Sequence, residues 1–257
     1  MIKNKIELIN RTNSLVLDAG RLAHERFINN DFKVSRKEDN SFLTTSDIMT
    51  EEFLRKGLSD IYSCPILGEE EGLDTESLDD ELWVIDPIDG THSYSNGLAP
   101  WTVCVALFED GNPFYGAVYA PALNEFYYGA KGHGSFFNYK RIHCKYFPSD
   151  EKTICIDSKT LKTGIDLKNL KNAKIRSYGS TALHIVLAAR NAVQASYTLP
   201  VKICDVAAAH SIISEAGGVL LYEDGKVIDY DRLFSGEYLE KPVISGNIDN
   251  LKMLFDV

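Results

Sequence analysis

Between Gly57 and Ala130 the chain has no Lys and no Arg, yet those 74 residues carry 14 Asp or Glu. The same stretch contains β-branched and aromatic runs at 82–85, 101–108, 114–119 and 125–128, which read as strands. Glu109-Asp110-Gly111-Asn112 is a hairpin turn between two of them, so this part is a largely antiparallel meander. Acidic residues therefore stand at strand ends with no basic neighbour in the segment. One reading is a solvated acidic face. The other is that a divalent cation neutralises several of the carboxylates, because such ions take hard oxygen donors.

Helical periodicity flanks the meander. Ile6, Ile9, Leu15, Leu17, Leu22 and Phe27 predict a helix over 6–29, and Ile48, Phe53, Leu54 and Leu58 a second over 47–58. Lys37 to Ser41 reads as a turn between them. Further along, strands are predicted at 153–157, 175–178, 195–199, 219–222 and 242–245, and helices at 180–190, 205–216 and 248–255. Gly217-Gly218 ends the second of these helices. The expected architecture is α/β with two lobes, 1–145 and 146–257, divided near Tyr146-Phe147-Pro148-Ser149-Asp150.

Apolar residues are 44% and charged residues 25% of the 257, which suits a soluble globular chain. No apolar run approaches the roughly 18 residues that a membrane-spanning helix needs. The start, Met1 to Glu7, is too polar for a signal peptide, so a cytoplasmic protein without a membrane partner is expected. A net charge of -10 disfavours a nucleic-acid polymer as partner. The five cysteines are scattered with no Cys-x-x-Cys, which predicts buried reduced thiols. No pair of histidines has zinc-ligand spacing.

The strongest local signal is Asp86-Pro87-Ile88-Asp89-Gly90-Thr91, directly after an apolar run. Pro87 fixes its own φ and biases Asp86 toward extended geometry, and Gly90 permits a sharp reversal. Two carboxylates three residues apart can then point at one spot. The backbone N–H groups of Gly90 and Thr91 would open the next element, a cradle for a phosphate oxygen. Gly68-Glu69-Glu70-Glu71-Gly72 also follows an apolar run, and Asp205 opens a predicted helix, where N-capping is the simplest explanation.

These residues resemble the inositol monophosphatase superfamily of lithium-sensitive, magnesium-dependent phosphatases. Trp83 to Thr91 matches its first signature, Gly68-Glu69-Glu70 its upstream acidic motif, and Asp205-Val206-Ala207-Ala208 running to Gly218 its second signature. Lys37 to Asp47 and Arg176 to Ser180 resemble further segments, so the likeness covers nearly the whole chain. The resemblance implies a two-lobed α/β/α/β/α sandwich of the sugar-phosphatase type and a homodimer. Glu69, Asp86, Asp89, Asp205 and the carbonyl of Ile88 would bind two or three Mg²⁺. Asp47, Thr91 and Glu70 would be catalytic, with Thr91 and Asp47 orienting the attacking water. Gly90, Thr91, His92, Gly179, Ser180, Thr181 and Thr198 would meet a small phosphorylated substrate. The N–H groups of 179–181 are expected to be unsatisfied at a helix start.

The chain departs from the family pattern at three places. Cys204 replaces a Trp before Asp205, and Phe42 stands where Pro is usual. Thr198 occupies a position where members acting on inositol phosphate carry an acidic residue, which argues against inositol as the leaving group. Gly116 to Leu123 resembles the histidinol-phosphatase and bisphosphate-nucleotidase branches, so these substrates stay open beside a polyol or sugar phosphate. A non-catalytic phosphate-binding module is the competing class. The intact acidic motifs and Thr91 weigh against it.

Overall fold

Helix α1 (Lys5–Asn29) starts where the Asn4 side chain accepts the Glu7 N–H, and ends at Asn30 in the left-handed region. A hairpin of β1 (Val34–Arg36) and β2 (Phe42–Thr44) leads into α2 (Thr45–Ile61). The strands β3 (Ile66–Gly68), β4 (Gly72–Leu73) and β5 (Glu81–Asp89) follow, then the single-turn helix α3 (Thr91–Ser95). The meander is β6 (Thr102–Glu109), β7 (Asn112–Ala120), β8 (Glu125–Ala130), β9 (Gly134–Phe137) and β10 (Lys140–Ile142). The remainder runs β11 (Lys152–Ile156), α4 (Ser158–Lys162), β12 (Ala173–Arg176), α5 (Thr181–Ala189), β13 (Ala195–Thr198), α6 (Ala207–Glu215), β14 (Val219–Tyr222), β15 (Val243–Gly246) and α7 (Ile248–Phe255). The computed structural model describes residues 4–75, 81–146, 148, 152–162, 173–230 and 238–255.

Two larger sheets organise these elements. One has eight strands in the order β10-β9-β8-β7-β6-β5-β3-β4, the other five in the order β12-β11-β13-β15-β14. The strand β5 shows why an uninterrupted apolar run is needed: Trp83 and Ile85 face one core, Leu82 and Val84 the other. The first core is closed by Val16 and Ala19 of α1 and Leu54 and Leu58 of α2. The second is closed by Leu183 and Val186 of α5 and Ala209 and Ile212 of α6, which also meet Leu220 and Val243 of the five-stranded sheet. A third core joins Ile154, Ile156 and Ile244 to Leu251 and Leu254 of α7. The layers are thus helix, sheet, helix, sheet, helix, the expected sandwich.

Several boundaries differ from the sequence reading. Lys37–Ser41 is a turn, but the two short strands beside it were not expected. The same holds for β9 and β10, too short and polar to show a period. The strand expected at 175–178 lies at Ala173–Arg176. Regular helix begins at Ala207, after a 3₁₀ turn over Ile203–Asp205, so Asp205 does not cap α6. Sheet membership changes between Ile142 and Lys152. Of the residues named for the lobe boundary, Phe147, Ser149 and Asp150 lie outside the described residues. Cys104, Cys144, Cys155 and Cys204 are buried free thiols and Cys64 is half-buried. No helix among the described residues is long and apolar enough to cross a membrane.

Helix α6 lies almost on the backbone of the large sheet. Gly116 and Gly129 are cross-strand partners in β7 and β8. A Cβ at Gly116 would come 2.0 Å from the Ala208 carbonyl oxygen, and one at Gly129 3.0 Å from Ile212 Cα. Gly116→Ala must therefore lift α6 or bend β7. We expect a loss of about 1–3 kcal/mol, the usual cost of overpacking. A thermal melt of that variant checks it, and an unchanged midpoint would contradict the close approach.

Candidate active site

A β-bulge sets the geometry at the end of β5. Asp86 pairs with Cys104 and Asp89 with Thr102, so the register shifts by one residue between them. In a regular strand, side chains three apart leave opposite faces; the extra residue brings both carboxylates to one side. Asp205, at the end of the 3₁₀ turn, approaches from the other sheet. One carboxylate oxygen from each of Asp86, Asp89 and Asp205 lies within 4.8 Å of the others.

Each aspartate is held differently. Asp86 Oδ1 accepts the Ile88 N–H at 3.0 Å, whereas Oδ2 is buried with no partner. Asp205 Oδ2 accepts the Lys202 N–H at 2.7 Å. Asp89 caps α5: Oδ2 accepts from Ser180 Oγ at 2.6 Å and from the Ala182 N–H at 2.8 Å, and Oδ1 from the Thr181 N–H at 3.2 Å. Burial pushes the Asp86 and Asp205 carboxyls well above the usual range, and the neighbouring acids add to it. Asp89 is raised to about 6, burial outweighing its bonds to Ser180, Ala182 and Thr181. Among the described residues no Lys, Arg or His pairs with these three. Two buried carboxylates and a half-buried one, with an orphaned oxygen on Asp86, fit a divalent cation.

The expectation that the acidic segment lacks basic partners holds for Asp86 and Asp89 but fails at the Glu69–Glu71 turn. Lys37 Nζ, from the β1–β2 turn, bonds Glu69 Oε1 at 2.9 Å and Glu70 Oε2 at 2.7 Å, and Lys202 Nζ stands 4.0 Å from Glu69. Burial would lower the Lys37 amine, but Glu69 and Glu70 outweigh it and raise it. Burial and the charge of Glu69 push Glu70 to about 8, against the pull of Lys37. The backbone of this turn is bound by Glu51 of α2, which sequence reasoning missed. Its only signal is an acidic residue on the apolar side of a helix.

Asp47 and Thr91 meet as expected. Thr44 Oγ1 and N–H both donate to Asp47 Oδ2, at 2.5 and 2.8 Å. Thr91 Oγ1 lies 3.0 Å from Asp47 Oδ1 and 3.0 Å from the Ile88 carbonyl oxygen. Its single proton serves either acceptor, leaving lone pairs for a water proton. Asp47 is raised to about 6 by burial, partly offset by the Thr44 and Thr91 bonds.

On the substrate side, Gly90 opens α3 at φ 99°, and a Cβ there would lie 2.8 Å from the Gly179 carbonyl oxygen, so the two turns touch. His92 is exposed, its ring edge-on to Phe42 at 5.1 Å. Two expectations need correction. The Thr181 N–H is not free, because Asp89 takes it as the cap of α5. Thr198 does not present an open hydroxyl: it ends β13 fully buried, with Oγ1 unpartnered. Both arise from packing between distant segments.

A family model described as the inositol monophosphatase family matches residues 5–252, and the chain belongs to this family of phosphatases. A fructose-1,6-bisphosphatase/inositol-1-monophosphatase of Thermotoga maritima is 36% identical over 150 residues, covering 57% of this chain and 59% of that relative's length. A histidinol-phosphatase of Mycobacterium tuberculosis is 31% identical over 221 residues, 80% of this chain and 84% of that one. Among solved structures, a Thermotoga maritima IMPase superposes with a TM-score of 0.79 at 27% identity over 95% of each chain.

Proposed function

We propose that the chain is a Mg²⁺-dependent phosphomonoesterase acting on a small polyol or sugar phosphate, with lobes 1–145 and 146–257 meeting at the site. The observation that carries this is the convergence of Asp86, Asp89 and Asp205 with an unpartnered buried oxygen on Asp86. Glu69, Asp86, Asp89, Asp205 and the Ile88 carbonyl would hold two or three ions. Bound Mg²⁺ would acidify a water and offset charge on the leaving oxygen.

The chain's own residues supply positioning. Thr91 Oγ1, held between Asp47 and the Ile88 carbonyl, orients a water. Glu70, with its raised carboxyl, is placed to take or share a proton. Gly90, Thr91 and His92 would face the phosphoryl oxygens, and the Gly179–Thr181 turn the leaving group. Family resemblance extends the proposal to a cytoplasmic homodimer inhibited by lithium.

Position 198 offers ring hydroxyls neither a carboxylate nor an open hydroxyl, so the charge-assisted bonds a carboxylate there would accept, each about 1.5–3 kcal/mol, are missing. We therefore expect inositol 1-phosphate not to be the best substrate. Histidinol phosphate and a bisphosphate nucleotide are the second reading, supported by the same residue. A phosphate-release screen over inositol, sugar, histidinol and bisphosphate-nucleotide substrates, with Mg²⁺ and with chelator, tests both. Release that survives chelation would overturn the metal reading; a preference for inositol 1-phosphate would overturn the reading of Thr198.

A further inference from the structure

Beneath the Glu69–Glu70 turn lies a buried ion pair with no place in the chemistry above. Glu51, on the second turn of α2, is 0% exposed. Its Oε2 accepts the Glu70 N–H at 3.0 Å and its Oε1 the Glu71 N–H at 3.1 Å. Arg55, one helical turn on, donates to Glu51 Oε1 from Nε at 3.0 Å and from Nη2 at 2.9 Å. The same guanidinium reaches the Gly72 carbonyl at 2.6 Å and the Ile66 carbonyl at 3.2 Å, so it ties both ends of the turn to the helix. Gly68 makes room for this: a Cβ there would lie 1.9 Å from Glu51 Oε1. On the other side, the Glu69 N–H donates to the Ile85 carbonyl of β5 at 3.2 Å. Glu69 is thus pinned between β5 and a carboxylate–guanidinium strut.

We propose that Glu51, braced by Arg55, is a positioning residue for the metal site: it fixes the backbone that carries Glu69 and so sets the affinity for Mg²⁺. This rests on the metal-dependent reading above. A buried ion pair is weak evidence for stability, since desolvation offsets its attraction. Its use here is geometric. A charged carboxylate accepts two N–H donors and a guanidinium at once, whereas an amide of the same shape has only one accepting oxygen and turns N–H groups toward N–H groups. Partners that orient metal ligands typically change affinity by about 10–100-fold when mutated.

The test is a calorimetric titration of Mg²⁺ into the substrate-free protein, with activity against Mg²⁺ concentration beside it. Glu51→Gln should raise the Mg²⁺ dissociation constant about tenfold or more. The half-saturating Mg²⁺ for activity should rise in step, with kcat at saturation recovering to within about threefold. Gly68→Ala reaches the same device without removing a charge, since its methyl must displace the Glu51 carboxylate, and should act in the same direction; it also serves if Glu51→Gln fails to fold. Glu71→Gln removes an exposed carboxylate 3.3 Å from Arg55 Nε but keeps the Glu51 carboxylate and both of its backbone N–H bonds, and should change the affinity far less. Wild-type protein that binds Mg²⁺, with Glu51→Gln or Gly68→Ala variants that bind it equally well but melt lower, would overturn the inference and leave a structural ion pair. Wild-type protein that binds no Mg²⁺ would overturn both the metal reading and the inference.

Discussion

Asp89→Asn should lose turnover by at least about 10²–10³-fold, the scale of removing one preorganised electrostatic group. It should also remove most of the stabilisation that Mg²⁺ confers. Asp89 does two jobs at once. It faces Asp86 and Asp205, and it caps α5 through Ser180, Thr181 and Ala182. In the metal-free protein the substitution has opposing effects. An asparagine loses at least one charge-assisted bond, about 1.5–3 kcal/mol. It also relieves a buried negative charge whose carboxyl is raised to about 6, a penalty of similar order at neutral pH. Metal-free melting temperatures of the two proteins should therefore lie close together. At a Mg²⁺ concentration 100 times the dissociation constant the wild type gains about 2.7 kcal/mol by mass action. That is roughly 5–10 °C for a chain of this size, and the variant should show little of it. Parallel melts with and without Mg²⁺, plus steady-state phosphate release, decide the matter. Near-normal activity of the variant would remove Asp89 from the site.

Without metal, the protein should lose stability as pH rises from about 5 to 8. The cause is the carboxylates. Glu70 titrates near 8 in the folded chain, raised by burial and Glu69, and Asp86 and Asp205 are raised well above their usual range. A carboxyl raised by folding contributes stability that is complete below its unfolded value and lost as pH climbs through its folded value. From pH 6.5 to 8 Glu70 alone loses about 2 kcal/mol, at about 1.4 kcal/mol per pH unit. His184 and His210, both lowered to about 4 by burial, work the other way, but Glu70, Asp86 and Asp205 outnumber them, and Asp47 and Asp89, raised to about 6, add to the fall. The histidines' stabilising effect is complete above the unfolded value and lost as pH falls below it, because only the unfolded chain takes up their protons. Saturating Mg²⁺ should flatten this fall and uncover the histidine effect, a loss of stability below about pH 6.5. Melts from pH 5 to 8.5 in chelator and in Mg²⁺ check this; a fall with rising pH that Mg²⁺ does not reduce would mean that the acids are not the cause.

The parts of the molecule legible in the sequence were those with local causes. The apolar run before Asp86 and the Pro87 and Gly90 beside it specify a buried strand stopping at a sharp turn, and the structure has that. The helical stripe of α1 and the Gly217-Gly218 stop behave likewise. What escaped has partners far along the chain. Asp89 and Ala182 are 93 residues apart, and no local pattern announces that a carboxylate at a strand end will cap a helix in the other half. The pairing of Lys37 with Glu69 depends on a hairpin whose strands are three residues each. Glu51 shows in the sequence only as an acid on the apolar side of a helix, and its partners appear only when the turn it binds is folded against it.

The glycine pair under α6 links tolerance to substitution with chemistry. Ala208, which rests on Gly116, is three residues beyond Asp205. The bare patch of sheet thus works as the fulcrum of a lever whose short arm ends in the Asp205 carboxylate. Raising the helix by the height of one methyl would swing Asp205 away from Asp86 and Asp89 before it unfolded anything. Substitutions at a position deep in the sheet would then read out at the carboxylate cluster, as a change in how tightly it holds a cation.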